Sequence, residues 1–150
     1  MRKFEIIHRY KDLDPILPMR QTMGSAGYDL ASIETIVIPP KEIRLIPTGI
    51  KVALPNHEVL LVYPRSSLAI KKGLMMSNSV GVIDADYYNN LDNEGHIMVP
   101  LYNTTEFPVT IDKHERIAQG IFQTFAKTDD DQPRNNGRTG GFGSSDQQKP

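Results

Sequence analysis

Short strand-like segments, separated by turn-forming residues, run through most of this chain. Turn sequences such as Pro39-Pro40 and Pro55-Asn56 interrupt runs that are rich in β-branched and aromatic residues. Many short strands at regular spacing indicate an all-β sandwich or barrel. The predicted strands cover residues 4–8, 35–38, 42–46, 50–54, 59–63, 80–83, 97–102, 107–111 and 116–125.

One segment predicts a short helix. Ser66 or Ser67 can cap its start, Lys71 and Lys72 suit its negative C-terminal end, and Gly73 can end it. No other part of the sequence gives a comparably clear helix pattern.

Composition and charge exclude several classes of protein. A chain of 150 residues predicts one domain, and its net charge of −1 with scattered Lys and Arg argues against stable nucleic-acid binding. The absence of cysteine excludes disulfides and thiolate metal sites, and the four histidines have no ligand spacing. No apolar run approaches the about 18 residues of a membrane span, and residues 1–10 lack a signal-peptide core. We expect a cytoplasmic, soluble protein without membrane contact.

The composition changes after residue 126. Residues 128–150 contain almost no aliphatic side chain, so they cannot bury enough apolar surface to fold alone. The sequence predicts a folded domain over 1–126 and a flexible arm over 127–150. Residues 138–145 combine a cation, glycines, an aromatic ring and hydroxyls, which could clamp a phosphate and a flat ring. A frayed tail is the alternative.

Two carboxylates stand two residues apart in the segment 81–87. If this segment is a strand, Asp84 and Asp86 share a face, because residues i and i+2 do so. A carboxylate held against apolar neighbours can act as a base near neutral pH. The alternative is a strand that ends in a polar turn, where Asp is common.

Three further clusters carry polar groups suited to a polyphosphate. The predicted helix begins with a guanidinium and two hydroxyls, from Arg65, Ser66 and Ser67, and such a helix start can bind an anion. An ordinary capped helix with a surface arginine is the alternative. Residues 25–30 form a small-residue turn that runs into a strand, with Asp29 as its polar residue, and Gln119 lies in a buried run; both side chains could instead be structural. Because no residue pattern offers a phosphate-accepting nucleophile, direct attack by water is the natural chemistry.

Five clusters in this order closely resemble the five motifs of the trimeric dUTPase family. The matching segments are residues 25–32, 63–69, 73–87, 115–122 and 138–145. The resemblance implies a distorted jelly-roll β-barrel that assembles as a homotrimer. Three subunits would contribute to each active site, and each arm would close over a neighbour's site. The implied reaction is Mg2+-assisted hydrolysis of dUTP to dUMP and pyrophosphate, which limits uracil in DNA and supplies dUMP for thymidylate synthesis.

The resemblance also implies a role for each matching residue. Asp84 matches the base that deprotonates the attacking water, and Asp86 matches a structural acid. Asn78 and the hairpin backbone would read the uracil edge, and Tyr87 would pack under deoxyribose and exclude a 2′-hydroxyl. Asp29 would reach Mg2+ through water.

The remaining matches are phosphate and base contacts. Arg65, Ser66 and Gln119 match contacts to the phosphates, Arg138 and Ser144 match γ-phosphate contacts, and Phe142 matches the ring that stacks over uracil. The implied substrate-binding set is Arg65, Ser66, Ser67, Asn78, Gly81, Val82, Tyr87, Gln119, Arg138, Phe142, Gly143 and Ser144.

The chain departs from the commonest family members at residues 88–94, where it carries a longer polar segment. A tolerated surface loop is one interpretation, since longer loops cost little. The other is a trimer contact or a docking surface for a regulatory protein. Insertions here are associated in the family with Gram-positive bacteria and their phages, which indicates such a source.

Two other functions compete with dUTP hydrolysis. A dCTP deaminase shares the fold and an Arg-Ser-Ser motif, but it needs a glutamate base where this chain has Asp84. A nucleotide-responsive regulator that binds a partner protein is the alternative from another class.

Overall fold

The computed structural model describes residues 1–135, 137–138, 140–141 and 143–147, with Ser144 and Gln147 described for the backbone alone. These residues form eleven short strands and one α-helix, together with three short 3-10 helices. The strands are β1 Lys3–Ile6, β2 Tyr28–Ala31, β3 Ile36–Ile38, β4 Ile43–Pro47, β5 Ile50–Ala53, β6 Glu58–Pro64, β7 Leu74–Met76, β8 Gly81–Ile83, β9 Met98–Asn103, β10 Val109–Ile111 and β11 Arg116–Thr124. The helix α1 covers Ser66–Lys72, and the 3-10 helices cover His8–Leu13, Ala85–Tyr87 and Ser144–Gln147.

All strand pairings are antiparallel. The strands form four ladders, in the orders β1-β5, β10-β3, β2-β11-β6-β8 and β4-β9-β7. The all-β class is therefore confirmed, and the arrangement is that of a distorted jelly-roll without one continuous hydrogen-bonded barrel. No helix among the described residues is both long and apolar enough to cross a membrane.

The core lies between these ladders and follows from the period-2 pattern of the strands. In β9, alternate residues Val99, Leu101 and Asn103 point inward and are fully buried. The buried Asn103 is satisfied because its Nδ2 donates to the carbonyls of Ile38 and Phe107, at 2.9 and 2.7 Å. Aliphatic side chains from β2 to β11 complete the same cluster.

The helix falls where the sequence predicts it, but its cap differs. Arg65, not Ser66 or Ser67, is the N-cap residue, with an extended backbone at φ −84° and ψ 140° and no side-chain capping bond. The prediction of a serine cap is therefore wrong. The Arg65 carbonyl accepts from Leu68 N at 3.1 Å, so the helix begins at Ser66 and both hydroxyls lie in its first turn. Gly73 ends the helix at φ +62°, as expected.

Strand β2 confirms the strand expected after the small-residue turn, whereas β7 was absent from the sequence prediction. Strand β7 is a three-residue, Met-rich strand immediately after Gly73, too short for a clear alternation of apolar and polar residues. Both strands matter for the site, because β2 carries Asp29 and β7 leads into the turn 77–80 that holds Asn78.

The insertion 88–94 packs against the domain instead of extending into solvent as a free loop. The ammonium of Lys51, on strand β5, donates to Asn89 Oδ1 at 2.5 Å and to Glu94 Oε1 at 2.7 Å. Burial raises the pKa of the Glu94 carboxyl, but hydrogen bonds from Lys51 and the His8 N–H outweigh it, so the net pKa is lowered. The lysine is only 8% exposed, so this pair fastens the insertion to the sheet.

Candidate active site

A cavity of about 270 Å³ lies between the turn 77–80, the 3-10 helix at Ala85–Tyr87 and the C-terminal arm. Side chains such as Val62, Met76 and Val82 supply its apolar surface, and the lining as a whole is about as polar as it is apolar. A concave site that combines apolar surface with a few polar groups is suited to a small molecule. Of the predicted binding residues, the cavity brings together Asn78, Gly81, Val82, Tyr87, Arg138 and Gly143.

The turn 77–80, between β7 and β8, places Asn78 at the cavity mouth. The turn requires a positive φ of 64° at Ser79, and Ser79 N donates to the Met76 carbonyl at 3.1 Å. Gly81 faces Val62 across the β6–β8 ladder, and a Cβ there would lie 3.2 Å from Val62 Cβ. Glycine thus lets β8 approach β6 closely, while the Asn78 amide stays exposed and able to pair with a base edge.

Asp84 and Asp86 are neighbours in space, but not because they share a strand face. Strand β8 ends at Ile83, Asp84 is the N-cap of the next 3-10 helix, and Tyr87 N donates to the Asp84 carbonyl at 3.1 Å. The strand expectation is wrong because the chain turns tightly at the first acid, and the alternative, a strand that ends in a polar turn, is confirmed. This turn directs Tyr87 into the cavity, while both carboxylates reach the cavity through their partner Arg138.

Arg138 from the arm joins the two acids. Its Nη2 lies 2.6 Å from Asp84 Oδ2, and its Nε lies 3.1 Å from Asp86 Oδ1. The guanidinium is 24% exposed, and the two carboxylate side chains are about half exposed. Asp86, expected to be structural, therefore holds the arm cation beside the proposed base.

Tyr87 forms the inner boundary of the cavity. Its side chain is 5% exposed, and its hydroxyl donates to the His96 carbonyl at 2.7 Å. Burial raises the pKa of Tyr87, so the hydroxyl stays protonated and able to donate. Gly141 of the arm lies against the ring, because a Cβ on this glycine would stand 2.6 Å from Tyr87 Cε1.

His96 is a cavity residue that no sequence pattern indicated. It is 5% exposed, its Nε2 accepts from Gly49 N at 2.8 Å, and its ring packs on Tyr10 at 4.8 Å. Burial lowers the pKa of His96 to about 4, with Arg9 contributing in the same direction and Glu94 opposing it. The imidazole is therefore neutral at pH 7, in agreement with its acceptor role.

A second cluster carries the other predicted residues. The side chain of Asp29 is 11% exposed and pairs with two arginines: Arg65 Nε at 3.4 Å and Arg116 Nη1 at 3.2 Å. Gln119 lies opposite Asp29 in the β2–β11 ladder, and its Nε2 donates to the Pro64 carbonyl at 3.3 Å. The sequence analysis assigned no role to Arg116. Only the carboxylate of its partner Asp29 could have indicated that a cation lies here.

The first turn of α1 borders this cluster with cations on either side. A groove there is lined by Arg65, Ser67, Lys71, Lys72 and Arg116. Ser66 is exposed beside it, and the first N–H groups of a helix have no partner within the helix. Guanidinium, ammonium and hydroxyl groups together form a surface suited to phosphate oxygens.

The cluster around Asp29 is not a preformed metal cage. Within the residues that the structure describes, no group of three or more His, Cys, Asp or Glu side chains could hold a metal ion. Asp29 offers carboxylate oxygens that are already paired with cations. This donor set fits a contact to a hydrated ion and not direct coordination by the protein.

Parts of the predicted arm site lie outside the described structure. Phe142 is one of the undescribed residues, and the side chain of Ser144 is likewise not described. Gly143 has a φ of +86° and precedes the 3-10 helix Ser144–Gln147.

The cavity near the paired acids could hold a base and sugar, and the separate cluster of arginines and serines could hold phosphates. Together they indicate a protein that acts on a nucleotide polyphosphate. The dUTPase family model matches residues 14–146. A deoxyuridine 5'-triphosphate nucleotidohydrolase of Lactococcus lactis is 49% identical over 146 residues, which cover 97% of each chain. The chain belongs to the dUTPase family, and hydrolysis of dUTP is the activity that this membership supports.

Solved structures agree with this assignment. The crystal structure of dUTPase from Streptococcus mutans matches with a TM-score of 0.81 at 47% identity, covering 84% of this chain and 98% of that chain. A point-mutant dUTPase from phage phi11 of S. aureus matches with a TM-score of 0.72 at 20% identity, covering 91% and 98%. The phage likeness shows the fold alone; that structure describes the coordination of a structural Mg(II) ion.

Proposed function

We propose that the chain hydrolyses dUTP to dUMP and pyrophosphate by attack of a water molecule on the α-phosphorus, with Asp84 as the base. The water oxygen forms the new bond to phosphorus, the bond to the α–β bridging oxygen breaks, and Asp84 takes the proton. The observation that carries this proposal is the ion pair of Asp84 with Arg138 at 2.6 Å, because Arg138 lines the cavity together with Ile83 and Tyr87, which flank Asp84 in the chain.

Uracil and deoxyribose fit the two polar features of the cavity. The exposed amide of Asn78, with the strand backbone at Gly81 and Val82, can pair with the N3–H and O4 of uracil. Cytosine inverts this pattern and would leave polar groups unpaired, which is a costly mismatch. Tyr87 packs under the sugar, where its ring leaves no space for a 2′-hydroxyl.

The triphosphate belongs with the second cluster. Arg65 and Gln119 bind phosphate oxygens, Ser66 stands near the bridging oxygen, and Ser67 supplies a hydroxyl and an N–H. Their electrostatic stabilisation favours departure of pyrophosphate. Mg2+, when bound, would neutralise charge on the triphosphate, with Asp29 holding its water ligands.

A homotrimer with shared active sites explains how the two clusters act together. Within the described part of the chain, no hydrogen bond or ion pair joins the cluster around Asp29 to the acids at Asp84 and Asp86. This separation supports sites assembled from several subunits. In the single chain the arm lies over its own pocket, and in the trimer the arm over 127–150 of a neighbour would take the same place over the 1–126 domain. Arg138 then moves from Asp84 to the γ-phosphate, together with Ser144, while Gly143 bends the arm and Phe142 stacks over uracil.

Two expectations stay predictions. A cytoplasmic location is one, and a regulatory partner at residues 88–94 is the other. In this segment Asn90 is buried at 7% exposure while Leu91 is 92% exposed, so only part of the insertion is free for another protein.

The test is pyrophosphate release measured with dUTP, dCTP, dTTP and UTP in the presence of Mg2+. We expect turnover of dUTP alone. Release of ammonia from dCTP would instead identify a deaminase, and absence of turnover with all four nucleotides would leave the regulator as the remaining function.

A further inference from the structure

The insertion 88–94 contacts the hydroxyl of the residue proposed to discriminate deoxyribose from ribose. Asn93 Nδ2 donates to the Tyr87 hydroxyl at 2.7 Å, while this hydroxyl donates to the His96 carbonyl at 2.7 Å. Tyr87 is thus held at its hydroxyl by two bonds, one to the domain and one to the insertion.

The orientation of the Asn93 amide is fixed by its other partners. Its Oδ1 accepts from Asn90 Nδ2 at 2.8 Å and from Gly95 N at 3.1 Å. Because an amide oxygen cannot donate, these two bonds direct the Nδ2 group towards Tyr87. Asn90 Nδ2 also donates to the Tyr87 carbonyl at 2.7 Å, so the insertion binds both ends of this tyrosine.

The insertion is itself anchored on two sides. Lys51 on strand β5 binds Asn89 and Glu94, at its beginning and end. On the other side the arm lies against it, since a Cβ on Gly140 would stand 2.8 Å from Asp92 Oδ2. Asn93 therefore sits on a rigid support and not on a loose surface loop.

This network limits how far the Tyr87 ring can retreat. Gly141 contacts the ring edge, the cavity lies on its open side, and the hydroxyl is fixed by Asn93 and His96. A ring that excludes a 2′-hydroxyl by overlap works only while it cannot move away, since a small displacement would make room for one oxygen.

We propose that Asn93 is a positioning residue for sugar discrimination: it holds Tyr87 in place so that ribonucleoside triphosphates are rejected. The inference rests on the proposed function and assigns the insertion a role in it. It acts through the Tyr87 hydroxyl, so the effects of removing Asn93 and of removing that hydroxyl overlap.

The experiment compares kcat/KM for dUTP and UTP in the full chain, Asn93→Ala, Tyr87→Phe and the double variant. We expect Asn93→Ala to lower the dUTP/UTP ratio by about tenfold, within the range of steric discrimination by a pocket, mainly through a gain with UTP. Tyr87→Phe also loses the bond to the His96 carbonyl, so it should lower the ratio at least as much, and the double variant should behave like Tyr87→Phe alone.

Leu91→Ala is the matched control. It truncates another side chain of the insertion to alanine, and Leu91 is 92% exposed and takes no part in the bonds that hold Tyr87. Its ratio should stay within about twofold of the unaltered chain.

The outcomes separate this inference from the proposed function. If the unaltered chain hydrolyses neither nucleotide, the proposed function fails and the inference falls with it. An unaltered chain that prefers dUTP, with an unchanged ratio in Asn93→Ala, would overturn the inference alone. An equal loss of activity with both sugars, or additive effects in the double variant, would also overturn it. If Asn93→Ala does not fold, an unchanged ratio in Tyr87→Phe refutes the proposal instead.

Discussion

The buried His96 makes the stability of this protein depend on pH in a defined window. Burial lowers its pKa from 6.5 to about 4, so the unfolded chain binds a proton between these values while the folded chain does not. Protonation then favours unfolding, and stability is lost as pH falls from about 6.5 towards 4. Above pH 6.5 His96 is mostly neutral in both states, so it adds almost nothing to the pH dependence of stability.

The magnitude follows from the two pKa values. The full shift corresponds to about 3.4 kcal/mol, at about 1.4 kcal/mol per pKa unit, and about 2 kcal/mol of it should be lost between pH 7 and pH 5. His96→Gln keeps an acceptor for Gly49 N but cannot titrate in this range. Between pH 7 and pH 5, the free energy of unfolding of the variant should therefore fall by about 2 kcal/mol less than that of the unaltered chain.

The assay is urea denaturation at pH 7, 6 and 5, followed by circular dichroism at matched protein concentration because assembly shifts apparent stability. His57→Gln serves as the control, since His57 is exposed. If His96→Gln loses as much stability as the parent from pH 7 to pH 5, the reasoning from burial is refuted. If His57→Gln removes the pH dependence instead, the assignment to His96 is refuted.

Two further predictions concern the arm. Gly141→Ala should lower kcat/KM for dUTP, because its Cβ would press on Tyr87 Cε1 and lift the arm. Gly137→Ala should have no effect, because a Cβ there would meet no atom of the described residues within 4 Å. Equal effects of the two variants in steady-state assays would contradict this contact. Deletion of residues 137–150 should abolish most turnover but leave the oligomer intact, because the described arm contacts are made at the pocket, by Arg138, Gly140 and Gly141. Light scattering that reports monomers would show that the arm is structural instead.

Local patterns were sufficient to predict most of the sheet. Runs such as 59–63 and 116–125 contain enough β-branched and apolar residues to mark β6 and β11, which form the centre of the largest ladder. Strand β7 was missed because three residues carry too little periodicity.

The acid pair illustrates a limit of periodicity. Two residues at i and i+2 after an apolar run have the pattern of a strand, yet a 3-10 turn at Asp84 also brings them together. The turn is closed by a local hydrogen bond from Tyr87 N to the Asp84 carbonyl, and it is favoured by packing of Tyr87 in the cavity, which is a tertiary effect. The sequence offered both the strand and the polar turn but could not decide between them.

The insertion was the least predictable part of the site. Asn90, Asn93 and Glu94 look like an ordinary polar turn in sequence, and their partners Tyr87 and Lys51 are fixed by the fold. Neither the alternation of apolar and polar residues nor the spacing of a motif indicates such side-chain hydrogen bonds. His96 is missed for the same reason, since a lone histidine gives no sign of its burial.

The base assignment of Asp84 is tested most directly by one variant, Asp84→Asn. This change keeps the size of the side chain but removes its ability to take a proton from water. We expect binding of a non-hydrolysable dUTP analogue with Mg2+ to be kept within about threefold, while kcat falls by about 10² to 10⁴, the usual contribution of a general base. Turnover close to that of the unaltered chain would contradict the account of this site.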